Sequence, residues 1–393
     1  MVTAHRILLF ILLMAFSLHA HGQSNFIPAV ALAPNGTCAV VSSVSRGDGG
    51  GVFLVLCDTS GRRSQPIRVN DGYAGLGQNA AVCVDRANTF YVAWEQWGAA
   101  TARVLIAHYG EDGTLLHAPV CAADDSTINA QTPRLAVSPD GSCSAVWLDY
   151  RLGHTAVYLQ RFARGLMKTG KNMLVAESED VLQTPVVALD AQHGEAIVWQ
   201  AAMADSFHVC IRTSTHAGRW MPAAIVDDGQ GKAYASTPDI VALPRGGYVV
   251  VWKDYRTGES DIYAQRVNDR GEKIGSNMRV NDDTTHRWQR LPRIVVSAAG
   301  IIVVWEDYRN DPGNQIGDIF AQRMDLQMHR VGRNFKVNDG PEPSIQRFPA
   351  AAMNAAGASA VVWDDGRSGT TAVWMRFYAP DGSASGEECK ITQ

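Results

Sequence analysis

A tryptophan at the end of an apolar run recurs at Trp94, Trp147, Trp199, Trp252, Trp305 and Trp363, at separations of 53, 52, 53, 53 and 58 residues. A period of this length belongs to propeller blades rather than to short solenoid units. One period before Trp94 lies Ser42 in AVVS, a segment that aligns with AVVW at 360–363, so a first copy has lost its tryptophan. Seven copies then fill residues 23–393. The expected fold is all-β: one domain, a seven-bladed propeller of four-stranded antiparallel blades.

The fifth and sixth copies show how one repeat divides. Residues 237–243 (TPDIVAL) read as a first strand and 248–253 as a second of nearly continuous apolar, β-branched character. DYRTGES turns the chain, DIYAQRV at 261–267 is a third strand, and a short fourth ends in VNDD. Strands this uniformly apolar need cover on both faces. Blades packed around an axis supply it. Proline opens the first strand at Pro28, Pro133, Pro185, Pro238, Pro292 and Pro349, where a missing N–H removes no interior ladder bond. Ring closure is expected by packing of blade 1 on blade 7, or by a minor strand exchange at the termini.

Residues 1–22 have a basic start (His5, Arg6), an apolar run at 7–18 and small residues at Ala20 and Gly22. This is the layout of a secretory signal peptide, so a secreted or periplasmic protein is expected. The apolar run is too short to span a bilayer, and no later stretch reaches the roughly 20 residues a span requires. The formal net charge of −4, with no basic cluster, argues against nucleic acid as a partner. Of the seven cysteines, Cys38 and Cys57 fall opposite each other in a hairpin, which leaves a bridge or buried free thiols open. The other five (Cys83, Cys121, Cys143, Cys210 and Cys389) read as core filler.

Four copies end the second strand in W-x-D-x-R: Trp147, Asp149, Arg151; Trp252, Asp254, Arg256; Trp305, Asp307, Arg309; and Trp363, Asp365, Arg367. What most blades share is expected to serve every blade. Tryptophan suits an inter-blade gap, and an aspartate–arginine pair suits the hairpin that follows it. The string D-x-R-x-G-x-x-D-I-Y at 254–263 resembles the repeat of TolB-like periplasmic propellers, and WKDYRTGESDIYAQR resembles repeats of secreted bacterial surface proteins. The resemblance covers copies three to seven and implies propeller architecture, with no catalytic residue attached to it. Seven copies and no N-terminal α/β domain depart from the TolB-like pattern.

Loops from second to third strands, and from fourth strands to the next blade, share one face of such a disc; tight turns such as SPDG at 138–141 make up the other. The first set carries Tyr73, Trp97, Tyr234, His286, Trp288 and Arg347, aromatic and basic groups suited to a sugar or peptide. No nucleophile elbow, phosphate loop, zinc spacing or EF-hand pattern occurs. The aspartate pairs at 124–125, 227–228 and 282–283 read as turn chemistry rather than as metal ligands. The expectation is therefore a monomeric, exported, non-enzymatic propeller without metal or cofactor, binding a glycan, peptide or envelope protein through its loop-rich face. The alternative is a glycoside hydrolase or lyase acting at the central funnel.

Overall fold

The computed structural model describes residues 27–44, 51–125, 128–216, 218–229, 234–311, 313–340, 344–367, 369 and 371–392. The expected signal peptide at 1–22 lies outside them. The described residues form seven four-stranded antiparallel sheets, each made of four consecutive strands. In blade 6 these are Gln289–Ser297, Gly300–Asp307, Asp318–Met324 and Arg330–Lys336. The first strand of every blade touches the first strands of both neighbours, including blade 1 against blade 7, so these strands ring the axis. Closure is by packing: blade 7 is built wholly from Gln346–Met353, Ser359–Asp365, Ala372–Tyr378 and Cys389–Lys390.

Alternation along the second strand decides which blade each side chain meets. Trp305 lies fully buried in a cluster with Val249, Val251 and Ile262 of blade 5, and Trp252 in one with Val198, Val209 and Ile211 of blade 4. Every recurring tryptophan packs on the blade before it. The seam between blades 7 and 1 has Ser42 in that slot, and Val30, Leu32, Cys38, Val362, Met375 and Phe377 fill the space instead. Cys38 and Cys57 are register partners there, both as free thiols, with Cys38 Sγ 3.7 Å from Met375 Sδ. The other five cysteines are free thiols too, with Cys143 and Cys210 buried and Cys83, Cys121 and Cys389 half-buried.

The W-x-D-x-R run closes into a clamp within its own blade. Trp252 Nε1 donates to Asp254 Oδ2 at 2.8 Å, the Arg256 backbone N–H to Asp254 Oδ1 at 2.9 Å, and Arg256 Nη2 to Asp254 Oδ2 at 2.5 Å. The guanidinium lies over the Tyr263 ring of the third strand at 4.1 Å and reaches Asn277 Oδ1 of the fourth at 3.0 Å. Copies three, six and seven repeat this, with Arg151 on Tyr158, Arg309 on Phe320 and Arg367 on Trp374. One buried carboxylate thus satisfies an indole, a turn N–H and a guanidinium, and the arginine ties strand two to strands three and four. In blade 2, Gln96 Oε1 takes the indole proton of Trp94 at 3.2 Å instead.

A second regularity sits at the start of the first strand. Asn79, Thr132, Thr184, Thr237, Leu291 and Phe348 all have φ between 48 and 53°, each beside a register shift. Such φ values are strained for threonine, leucine and phenylalanine, and persist only where neighbours hold them. In three of the six, the residue after the tryptophan of the preceding blade does the holding. Thr132 N donates to Glu95 Oε2 at 2.8 Å, Thr237 N to Gln200 Oε1 at 3.3 Å, and Phe348 N to Glu306 Oε1 at 2.8 Å.

Candidate functional site

Because the tryptophan faces the preceding blade, the residue after it faces the following one, at the loop-rich end of the crevice between blades. This slot holds Glu95, Leu148, Gln200, Lys253, Glu306 and Asp364 in blades 2 to 7. In blade 2 the side chain is fully engaged: Glu95 accepts from Gln78 Nε2, Asn79 Nδ2, Thr132 N and Trp97 Nε1. Blades 5 to 7 differ, with a lysine and two acids in succession.

Burial pushes the Asp364 carboxyl up to about 8, Asp365 and Glu306 reinforcing the shift and Arg347 opposing it. Arg347 Nη2 stands 3.9 Å from Asp364 Oδ2, and Asp364 Oδ1 is buried without a hydrogen-bond partner among the described residues. Burial likewise raises Glu306, against the Phe348 N–H, Arg290 and Tyr308, whose hydroxyl donates to Glu306 Oε2 at 3.2 Å. Lys253 is lowered to about 8, by burial first and Arg290 second, with Glu306 opposing. Arg290 stacks on the Trp288 ring at 4.0 Å and lies 5.3 Å from the Tyr308 ring. Two buried carboxyls with raised pKa, Asp364 to about 8, an amine lowered to about 8, and two partly exposed guanidiniums therefore line the crevices of blades 5 to 7. Such a set can donate a proton to a leaving oxygen, accept one from carbon or water, and fix an anionic group.

The sequence-derived binding candidates do not all gather there. Trp288 and Arg347 belong to this cluster; Trp288 Nε1 also donates to Glu259 Oε2 at 2.5 Å. His286 is exposed on the loop leading to Trp288. Tyr73 packs edge-on against Trp94 and Trp97 binds Glu95, both in blade 2, while Tyr234 is exposed beside Phe207 of blade 4. The long loop at 310–317 is pinned where described: Asp311 caps Gly313, Gln315 and Ile316, and Asn314 Oδ1 accepts from Trp288 N. The aspartate pairs are spent on protein groups. Asp227 takes His208 Nδ1, Val209 N and Gly229 N; Asp282 takes Arg309; Asp283 takes Asn281 and Thr285.

Sequence reasoning passed over Lys253, Glu306 and Asp364, which occupy the unspecified x of W-x-D. The signal was a charged residue inside an otherwise continuous apolar strand, which between two blades has to be buried. Crevices open on the tight-turn face too. One of about 470 Å³ between blades 7 and 1 is lined by Leu32, Asn354, Phe377 and Pro380. Another of about 240 Å³ between blades 3 and 4 is lined by Ser138, Arg161, His193 and Glu195. Short turns there leave gaps between blades rather than a sealed surface.

No family model matches the chain, and no curated protein does. Solved structures do. An ulvan lyase of polysaccharide lyase family PL25, bound to a GlcA–Rha3S saccharide, is similar over 92% of this chain and 95% of its own, with a TM-score of 0.60 and 11% identity. An α-L-arabinanase of Penicillium chrysogenum complexed with arabinobiose is similar over 77% of this chain and 93% of its own, at a TM-score of 0.54 and 12% identity. A Dyadobacter fermentans protein of unknown function is similar over 92% of this chain and 93% of its own, with a TM-score of 0.52 and 10% identity. At these identities the likeness establishes the fold, and nothing supports the TolB-like repeat type in particular. The expectation of a non-enzymatic binding module is corrected by the same comparison: the two named neighbours of assigned activity are glycan-cleaving enzymes, which favours the enzyme alternative. What the chain shares with these structures is the β-propeller fold, and that is as far as kinship is established.

Proposed function

We propose that this protein is an exported enzyme that cleaves polysaccharides from the loop-rich face, at the crevices of blades 5 to 7. The observation that carries the reading is the pair of buried carboxyls, Glu306 and Asp364, raised in pKa beside Arg290 and Arg347. In Glu95 the same slot is satisfied by four N–H groups, whereas Asp364 keeps a buried oxygen with no donor among the described residues. Asp364 serves as the acid that protonates the leaving glycosidic oxygen, a role common to hydrolysis and to elimination. Arg347 and Arg290 orient the saccharide, and Trp288 offers it a ring face. The glycan-cleaving propellers of similar fold support the substrate class.

The test is a panel of neutral and acidic polysaccharides incubated with residues 23–393, read both as new reducing ends and as absorbance of an unsaturated uronate. Cleavage of at least one polymer is expected, with Asp364→Asn lowering kcat at least 100-fold. No cleavage across the panel, or an Asp364→Asn protein as active as its parent, rejects the assignment.

A further inference from the structure

The residue after the first-strand proline, with Ala81 as its counterpart in blade 2, occupies one slot around the axis: Ala29, Ala81, Arg134, Val186, Asp239, Arg293 and Ala350 in blades 1 to 7. Four are small or medium apolar residues, which leaves room at the centre. Three are charged. Arg134 and Arg293 influence each other electrostatically although their blades are three apart in the ring, and both sense Asp239. The first strands of blades 3 and 6 stand across the ring from each other. All three are half-buried.

Neither guanidinium is neutralised by a contact. Arg134 Nη1 donates to Pro133 O at 2.9 Å and Arg293 Nη1 to Pro292 O at 3.0 Å, the same backward tether in both blades. Among the described residues no carboxylate oxygen lies within the 4.0 Å of an ion pair from either. Asp239, the acid that both arginines sense, spends its oxygens on Ile240 N and Ile294 N, each at 3.0 Å. Burial raises its pKa, against the pull of Arg293, the Ile294 and Ile240 N–H groups and Arg134. Each arginine keeps most of its five N–H donors for something else.

We infer that Arg134 and Arg293 form an oxyanion site on the axis of the ring, taking a sulfate or carboxylate between two guanidiniums from blades 3 and 6. Planar guanidinium forks match such oxygens in pairs. The site is distinct from the crevices of blades 5 to 7 and does not depend on the proposed cleavage. The oxyanion is either a free ion or the acidic group of a saccharide threaded from the loop-rich face.

Sodium sulfate, titrated against the protein at constant ionic strength set with sodium chloride, provides the test by calorimetry and thermal shift. Saturable sulfate binding is expected, at least 10-fold weaker in Arg134→Gln and in Arg293→Gln and lost in the double variant. Asp239→Asn moves the other way, tightening sulfate severalfold, which a merely structural role of the three residues would not do. Stabilisation of the parent by sulfate no greater than by chloride overturns the site, as does a folded double variant that binds like the parent. Should the double variant fail to fold, a lack of tightening in Asp239→Asn overturns it. A glucuronate-containing tetrasaccharide added to the sulfate-loaded protein then identifies the source: competition assigns the site to the glycan's acidic group, and independent binding assigns it to a free oxyanion.

Discussion

Asp364 shows how burial converts an ordinary side chain into a chemical one. Its folded pKa, up to about 8, lies above the roughly 3.9 of an unfolded aspartate. The folded state therefore binds more protons between these values, and stability falls as pH rises through that window. Each pH unit in the window costs about 1.4 kcal/mol if the proton is fully retained. Asp364→Asn cannot titrate, so its stability relative to the parent should climb from pH 5 to pH 8 in denaturant titrations, while activity is lost. Parallel stabilities of the two proteins at both pH values would show that the carboxyl is charged in the folded state. Glu306 carries a structural duty as well, holding the strained Phe348 N–H, so Glu306→Gln should retain the fold better than Glu306→Ala. A difference of about 1–2 kcal/mol between them is expected in denaturant titrations. Lys253, Glu306 and Asp364 were open to discovery in the sequence as charges within apolar strands. Their convergence was not, because it depends on which face of each strand meets which blade.

At the level of the strand, the tryptophan and its aspartate form one unit. Trp252→Ala and Trp305→Ala should each destabilise by about 3–5 kcal/mol, as large aromatic deletions from close-packed cores do. Both are fully buried at blade interfaces. Asp254→Ala should cost a comparable amount, about 3–5 kcal/mol, for a different reason: it leaves a buried indole N–H and a guanidinium without their acceptor. Urea denaturation of the three variants checks this. A loss below about 1 kcal/mol in the tryptophan variants would mean that their crevices relax around the gap. The W-x-D-x-R motif and its four-strand context were legible because every blade repeats the same local requirement. The positive φ at Thr132 and Thr237 was not, since threonine itself disfavours it and the side chain that supports it comes from the preceding blade.

For the whole molecule, closure is the weak point of any ring whose last blade pairs no strand with its first. Here packing of Val30, Leu32, Val362, Met375 and Phe377 does the work, and Arg63 Nη1 donates to the carbonyls of Lys390 and Ile391 to hold the last strand to blade 1. Arg63→Ala should lower stability by about 1–2 kcal/mol and speed proteolysis at the C-terminal strand before the rest of the chain. Cleavage starting elsewhere at an unchanged rate would show that apolar packing alone closes the ring.

The 53-residue tryptophan spacing by itself determined the number of blades, their four-strand make-up and the clamp residues. A repeat imposes one local solution again and again, and the pattern survives drift in any single copy. Where the candidate site sits was decided only by tertiary structure. Residues 253, 306 and 364 are far apart along the chain and are brought to successive crevices because the blades stand radially about one axis. The change in proton affinity that makes Asp364 an acid arises from burial between two blades, a property of the closed ring and of no segment within it.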